Sequence, residues 1–178
     1  EAASSDGGAI LLRVLERRLG LLEPLASCLP DEREAGKVRH ELEELVGQRV
    51  YALATGYPDG NDAARLRDDP VHKMLVGREP VDGEALASQP TLSRFENSAS
   101  PKHLCRMSTT LAERVVERHR RRLWGRRVGK ITIDLDSTHD PTHGEQQLAL
   151  FNGKYGTHCY LPLLGFLQFD GEADQHLV

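Results

Sequence analysis

The sequence predicts an α+β fold, with a helical region over residues 1–128 followed by a β region over residues 129–178. Before Gly125, apolar residues recur at intervals of three and four, which is the spacing of one helix face. After Gly129, apolar and polar residues alternate, which is the spacing of a strand. The two glycines therefore mark the boundary between the patterns.

The first helices are defined by their apolar spacing and by the residues that end them. Leucines at helical spacing predict a helix over 11–19, which Gly20 ends. A second, short helix is expected over 21–29 and a longer one over 38–53. Glycine and proline shortly after the third stretch indicate where it stops.

The rest of the helical region contains shorter helices and one long helix. A short helix is expected over 62–66, and Asp69 can cap the next one over 70–76. Residues 77–90 are rich in glycine and proline, so we expect a loop with at most one helical turn. Pro101 begins a long helix that runs into an arginine-rich segment.

The β region contains two clear strand patterns separated by a loop. The first strand is predicted over 131–136, and a loop follows through His143. A short element is expected over 148–151, and a long strand over 158–169.

The first predicted strand carries two acids on one face. Because side chains alternate along a strand, Thr132, Asp134 and Asp136 share one face, whereas the isoleucines and Leu135 share the other. Two carboxylates are costly to bury unless positive charge meets them. A divalent metal would supply that charge; the structural alternative is a strand with one solvated face. The alternation alone does not choose between them.

The overall composition narrows the class of protein. The 178 residues include 23 Lys and Arg and 27 Asp and Glu, so the net charge of −4 does not by itself indicate a nucleic-acid-binding protein. No apolar stretch approaches membrane-spanning length, and no signal peptide is recognisable. Cys28, Cys105 and Cys159 are isolated, which argues against a disulfide scaffold or a thiolate zinc site and fits a reducing compartment.

A series of short motifs occurs in one order along the chain. Near the C-terminus these are Asp-Leu-Asp-Ser-Thr at 134–138, His-Gly-x-Gln-Gln at 143–147, Phe-Asn-Gly-x-Tyr at 151–155 and Tyr-x-Pro-Leu at 160–163. They resemble the first catalytic segment of bacterial insertion-sequence transposases of the DDE type, which have an RNase H-like domain. Further upstream, several segments are similar to the helical region that precedes this domain in the same family: residues 5–8, 48–51, 56–57, 61–62, 66–73 and 88–94.

The resemblance implies metal-dependent cutting and joining of DNA. The DNA partners are the terminal inverted repeats of an element and a target, and the full-length transposase is expected to act as a homodimer. Two Mg²⁺ ions about 3.5–4 Å apart stabilise the attacking and leaving oxygens in such chemistry, with Mn²⁺ as the alternative ion. The family takes one Asp from the first strand, one from a later strand and a Glu from a helix further along; only the first-strand element is recognised here.

The resemblance also makes Asp136 and Asp134 the candidate catalytic and metal-binding residues. Asp136 is preferred because Thr138 follows it after one residue, as Ser or Thr commonly follows the family's catalytic Asp. Asp134 shares its face and is the alternative ligand or a supporting group. Because the RNase H-like fold begins with three antiparallel strands, the acidic strand is expected in the middle of a sheet, with 158–169 antiparallel beside it.

The strongest local charge bias lies between Arg114 and Lys130. The candidate DNA-binding residues in this run are Arg118, Arg120, Arg121, Arg122, Arg126, Arg127 and Lys130. Contacts to phosphates would add affinity without reading sequence. The structural alternative is a solvated helix end, where cations complement the helix dipole. Trp124 is expected in the core rather than as a platform for base stacking.

The loop after the acidic strand contains further polar residues. A zinc site at His139 and His143 is disfavoured, because Pro141 prevents a helix from placing both histidines on one face. A solvated loop is expected instead. Gln146 and Gln147 are candidates for DNA contact or simply end the loop.

Both ends of the sequence resemble cuts through a longer protein, so we expect the chain by itself to be inactive. The parent protein is expected in the bacterial cytoplasm, at the nucleoid, with no membrane partner. Two other interpretations stay open. One is a non-catalytic DNA-binding remnant, and the other is a helical interaction protein whose acidic strand is structural.

Overall fold

The computed structural model describes residues 3–142, 149–170 and 175–177, with the side chain of His176 left out. The chain divides into two compact units, over residues 1–111 and 112–178. The first is helical and the second contains the strands, so the α+β class is confirmed.

The first unit is built from helices joined by short turns. They are α1 (Ile10–Leu19), α2 (Leu22–Ala26), α3 (Leu42–Ala54), α4 (Ala63–Leu66), α5 (Pro70–Leu75), α6 (Gln89–Ser98) and the first half of α7 (Pro101–Arg122). Three 3-10 turns lie at Gly7–Ala9, Ala35–Lys37 and Gly60–Asp62. The predicted helices over 11–19, 62–66 and 70–76 and the long helix from Pro101 are confirmed to within a few residues.

Local sequence explains where two of these helices begin and end. Gly20 ends α1 with φ of 61°, in the left-handed region that glycine adopts without a Cβ clash. Asp69 caps α5, because its side chain accepts a hydrogen bond from the His72 main-chain N–H. Pro70 occupies the first turn of α5, where a main-chain N–H is not needed.

The prediction for the third helix is wrong at its start, which is Leu42 rather than Val38. Side chains from elsewhere hold the preceding main chain outside the helix. The Arg78 guanidinium donates to the Arg39 carbonyl at 3.0 Å, and that of Arg33 donates to the His40 carbonyl at 2.8 Å. The second predicted helix is also too long, since α2 ends at Ala26.

The core of the first unit consists of two clusters of buried apolar side chains. The first comprises Ala9, Leu22, Ala26, Val46, Tyr51, Val71 and Leu75. The second comprises Leu45, Ala63, Ala87 and Leu92. Residues of α3 and α5 thus supply much of the core. The apolar spacing of the third helix predicts that Val50 and Leu53 join it, but both are exposed.

Several polar residues of the transposase-like motifs are buried and tie the first unit together. The Gln48 amide donates to the Ala87 carbonyl at 2.9 Å and accepts from the Ala87 N–H at 3.0 Å. The Lys73 ammonium donates to the Gly83 carbonyl at 3.0 Å. These bonds pin the loop before α6, so these motif residues are structural.

A second polar contact joins Asp6, which precedes the first 3-10 turn, to α5. The His72 Nε2 lies 3.1 Å from the Asp6 carboxylate, and the His72 ring meets Tyr57 edge-on. Burial acts to raise the pKa of Asp6, but hydrogen bonds from Tyr57, His72 and Ser5 outweigh it and hold that pKa below its ordinary value.

The described residues of the second unit form the end of α7 and two small antiparallel sheets. The strands are β1 (Ile131–Ser137), β2 (Asp140–Pro141), β3 (Leu150–Asn152), β4 (Thr157–Tyr160), β5 (Leu163–Phe169) and β6 (His176–Leu177). One sheet has the order β1-β5-β6 and the other β2-β4-β3. The antiparallel pairing of β1 with the segment before Phe169 is confirmed.

Two sequence predictions about these strands are wrong. The acidic strand β1 lies at the edge of its sheet rather than in the middle, because among the described strands only β5 pairs with it. The long strand over 158–169 is two strands in different sheets, β4 and β5. Pro162 lies between them and has no N–H for a ladder, while its carbonyl accepts from Thr138 at 3.0 Å.

Few of the described residues of the second unit are buried. Cys159 and Phe169 are buried, and the His119 ring of α7 lies 5.0 Å from that of Phe169. The predicted element over 148–151 corresponds to β3 (Leu150–Asn152), and Leu148 is outside the described residues. Within the described ranges of the whole chain, no helix combines the length and apolar character that a membrane crossing requires.

Candidate metal and nucleic-acid site

The two candidate acids lie on the same face of β1, as predicted. The register with β5 is continuous, pairing Asp134 with Phe166 and Asp136 with Leu164. Directly paired residues of antiparallel strands share a face, so the acids project beside apolar neighbours. Two residues along a strand place their Cα atoms about 7 Å apart, and one ion or a closely spaced pair of ions can therefore contact both carboxylates.

Both acids are exposed to solvent. Every residue of β1 is exposed, including Ile133 at 64% and Leu135 at 62% on the opposite face. The argument that buried carboxylates need a compensating charge therefore does not apply to these acids. The solvated-face alternative stays open, and the candidate metal site rests on the shared face and on the family resemblance.

The donor set nevertheless fits Mg²⁺. This ion prefers oxygen ligands and is usually held by one or two carboxylates together with water and substrate phosphate. Asp134 and Asp136 supply two hard oxygen donors on an open face where water and phosphate have access. Among the described residues, no group of three or more His, Cys, Asp or Glu could hold a metal ion by itself.

The loop beside β1 is partly described. His139 stacks on the Tyr155 ring with centroids 4.1 Å apart, and its buried Nε2 has no hydrogen-bond partner among the described atoms. His143, Gln146 and Gln147 lie outside the described residues, so their predicted roles stay predictions.

The arginine run surrounds the end of α7 rather than forming one stripe. Successive residues of a helix are rotated by about 100°, so Arg120, Arg121 and Arg122 point in three directions. His119 is buried on the side that faces Phe169. A single straight duplex on one side of the helix would therefore meet some of these arginines and not others.

The arginines of α7 differ in their contacts. Arg121 forms an exposed ion pair with Glu117 at 2.8 Å, which contributes little to stability. The Arg122 guanidinium lies 5.5 Å from the centre of the Phe169 ring and helps to cover it. Arg118 and Arg120 are exposed and have no ion-pair partner among the described residues. These two are the arginines most available to an added anion.

The remaining candidates follow the helix. Arg126, Arg127 and Lys130 are exposed in the connection between α7 and β1. The Lys130 carbonyl accepts a hydrogen bond from the Asp170 N–H at 3.0 Å, which extends the pairing of β1 with β5. The connection is thus tied to the acidic strand within the same unit.

The expectation that Trp124 belongs to the core is wrong. Its side chain is 88% exposed, in the turn that ends α7. The helix stops at Arg122, and Gly125 has φ of 74°, so the main chain turns away before the indole can pack on the sheet. An exposed indole among arginines is a surface on which an unpaired base can stack.

Sequence reasoning missed a second group of cations, in the first unit. Arg39, Arg67 and Arg94 line one cleft there. They are separated by more than 25 residues from one another along the sequence and belong to no charge run. Arg67 and Arg94 lie within motifs of the resemblance, but those motifs do not mark the three arginines as one group.

The comparisons with known proteins agree with the motif series. A family model described as "Transposase DDE domain group 1" matches residues 1–178. No curated protein matches the chain significantly. No solved structure matches it significantly either. Because the family model spans all of the motifs, including those with the buried Gln48 and with the acid pair on β1, the chain belongs to the transposase DDE domain group 1 family.

Proposed function

We propose that this chain contributes to cut-and-paste transposition by metal-dependent phosphodiester transfer at the ends of an insertion sequence. The observation that carries the proposal is the pair Asp134 and Asp136 on one open face of β1, in a chain of the DDE transposase family. Family membership supports DNA as the substrate, and the acid pair supports the place of the chemistry.

Asp136 and Asp134 are the proposed metal-holding residues, with Mg²⁺ as the ion and Mn²⁺ as the substitute. When bound, such ions stabilise the attacking and leaving oxygens of a phosphodiester. The role of this chain is to hold two carboxylates on one strand, and the register of that strand with β5 places both on the same face. The exposed face leaves room for water and for a DNA phosphate beside them.

DNA contact is proposed at the end of α7 and the connection that follows. Arg118, Arg120 and Arg127 are exposed there, and Trp124 stands among them. Phosphates would bind the guanidinium groups, and a base at a frayed end would stack on the indole. A helical DNA-binding region over 1–128, a catalytic region beginning at 129, a homodimer and a place at the bacterial nucleoid complete the proposal.

The first prediction concerns cleavage by the 178-residue chain alone. A DDE site needs acids from three segments, and β1 supplies acids from one. We therefore expect no strand cleavage when the chain is incubated with Mg²⁺ or Mn²⁺ and labelled linear element ends, as measured on a denaturing gel. Cleavage that disappears in Asp136→Ala but persists in Asp140→Ala would show that the chain contains a complete site.

A further inference from the structure

The first unit contains an open cleft of about 890 Å³, away from the acid pair and the α7 arginines in sequence. Its lining comes from the segment between α2 and α3, from α3, from the end of α4, from the loop before α6, from α6 and from the start of α7. This volume is in the range of sites for small ligands, and it has room for a short stretch of single strand.

The cleft is more basic than the chain as a whole. Its lining includes five Lys or Arg and three acids, in a protein whose net charge is −4. Arg33 and Lys37 are already neutralised, by Asp31 and by Glu34, both at 2.6 Å.

Three guanidinium groups of the lining are left without a carboxylate. Arg39, Arg67 and Arg94 are exposed and have no ion-pair partner among the described residues. Arg94 makes only a long hydrogen bond to the Thr91 hydroxyl, at 3.4 Å. Of the lining acids, Glu84 lies 3.7 Å from Arg78, which leaves Glu32 as the acid that would repel an anion. The balance favours a ligand with several negative charges.

Part of the lining is apolar. Val38, Leu42 and Phe95 are half-buried there, and Phe95 also packs against both core clusters. A ligand that suits the cleft therefore combines anionic groups with flat apolar ones. Single-stranded nucleic acid has this chemistry, since each nucleotide carries one phosphate and one stacking base.

We infer that this cleft binds a single-stranded DNA segment, with phosphates at Arg39, Arg67 and Arg94 and a base against Phe95 and Leu42. The inference rests on the proposed function only in taking DNA as the ligand. It adds a second site, distinct in its residues from the α7 arginines, for the unpaired strand that DNA cutting and joining produces.

The test is the affinity of the whole chain for a fluorescein-labelled ten-nucleotide oligothymidine, measured by anisotropy between 50 and 200 mM salt. Each single-strand phosphate contact contributes a log–log slope of about −0.7, so R39A/R67A/R94A should flatten the slope by about 2. The matched control R17A/R18A/R106A removes the same charge from exposed arginines outside the cleft and should leave the slope unchanged. Circular dichroism of both variants checks that the fold is retained.

A second probe tests the base contact. An oligomer of abasic sites has the same phosphates, and it should bind the unmodified chain at least about fivefold more weakly than oligothymidine. Equal slopes for the cleft and control variants, or equal affinity for the two probes, would overturn the inference. Duplex binding distinguishes a failure of this inference from a failure of the proposed function. The proposed duplex contacts lie at the α7 arginines, so R39A/R67A/R94A should retain the duplex salt dependence of the unmodified chain whether or not the cleft binds a single strand.

Discussion

Replacing Arg118, Arg120 and Arg127 by alanine should flatten the salt dependence of duplex binding by up to about 2.7 in log–log slope, because each phosphate contact contributes about −0.9. At 50 mM salt the affinity should fall by at least about tenfold. Arg122 is left in place because its guanidinium lies over the Phe169 ring, and its removal would expose a buried side chain. Fluorescence anisotropy with a labelled duplex measures both quantities.

The control for this experiment is R17A/R18A/R106A, which removes the same charge elsewhere on exposed surface. It should lower affinity only slightly and leave the slope near that of the unmodified chain. Trp124 provides an independent readout, since it is the single tryptophan of the chain and 88% exposed. An unchanged slope in R118A/R120A/R127A would assign these arginines to the solvated helix end that the sequence also allowed.

Substitution of Gln48 by methionine should lower the free energy of unfolding by about 2–6 kcal/mol, which is the cost of two buried unsatisfied groups at about 1–3 kcal/mol each. The two groups are the N–H and the carbonyl of Ala87, which is fully buried. Methionine has a similar volume and is apolar, so the change isolates the hydrogen bonds from packing. Urea unfolding followed by circular dichroism measures the loss.

Leu53→Met is the matched control, because Leu53 lies on the same helix and is 52% exposed. Its free energy of unfolding should stay within about 0.5 kcal/mol of that of the unmodified chain. Equal free energies of unfolding for the two variants would mean that water or a shifted loop forms hydrogen bonds with the Ala87 N–H and carbonyl. Gln48 would then not hold the loop before α6.

The helical half of the fold was predictable where local chemistry decides it. Gly20 ends α1 and Asp69 caps α5 through bonds that involve neighbours in sequence. The start of α3 was not predictable, because donors from Arg78 and Arg33 hold the main chain before it. Such tertiary hydrogen bonds override helical spacing and leave no local pattern.

The β half shows the same division. Alternation correctly placed Asp134 and Asp136 on one face, since a strand fixes side-chain direction. It did not show that the chain changes sheets at Pro162, although the missing N–H of proline was a usable signal. It also could not show that Trp124 is exposed, because an aromatic residue at a helix end packs or projects according to where the main chain turns.

Of the two groups of candidate cations, one was predictable from the sequence and the other was not. The α7 run was found because its members are adjacent in sequence, yet its distribution around the helix and the Glu117 and Phe169 contacts are structural information. Arg39, Arg67 and Arg94 come together only through folding. Sequence proximity therefore detects a basic segment, whereas a basic cleft requires the fold.

Mn²⁺ broadening of amide NMR signals tests most directly the proposal that Asp134 and Asp136 together hold a divalent ion. Even weak binding of Mn²⁺ at this pair should broaden the amides of 133–137 and of their β5 partners 163–167. D134N/D136N should abolish that broadening, while Asp140→Asn, on an exposed residue of the same unit, should preserve it. Broadening centred elsewhere, or unaffected by D134N/D136N, would contradict the assignment of the metal site to β1.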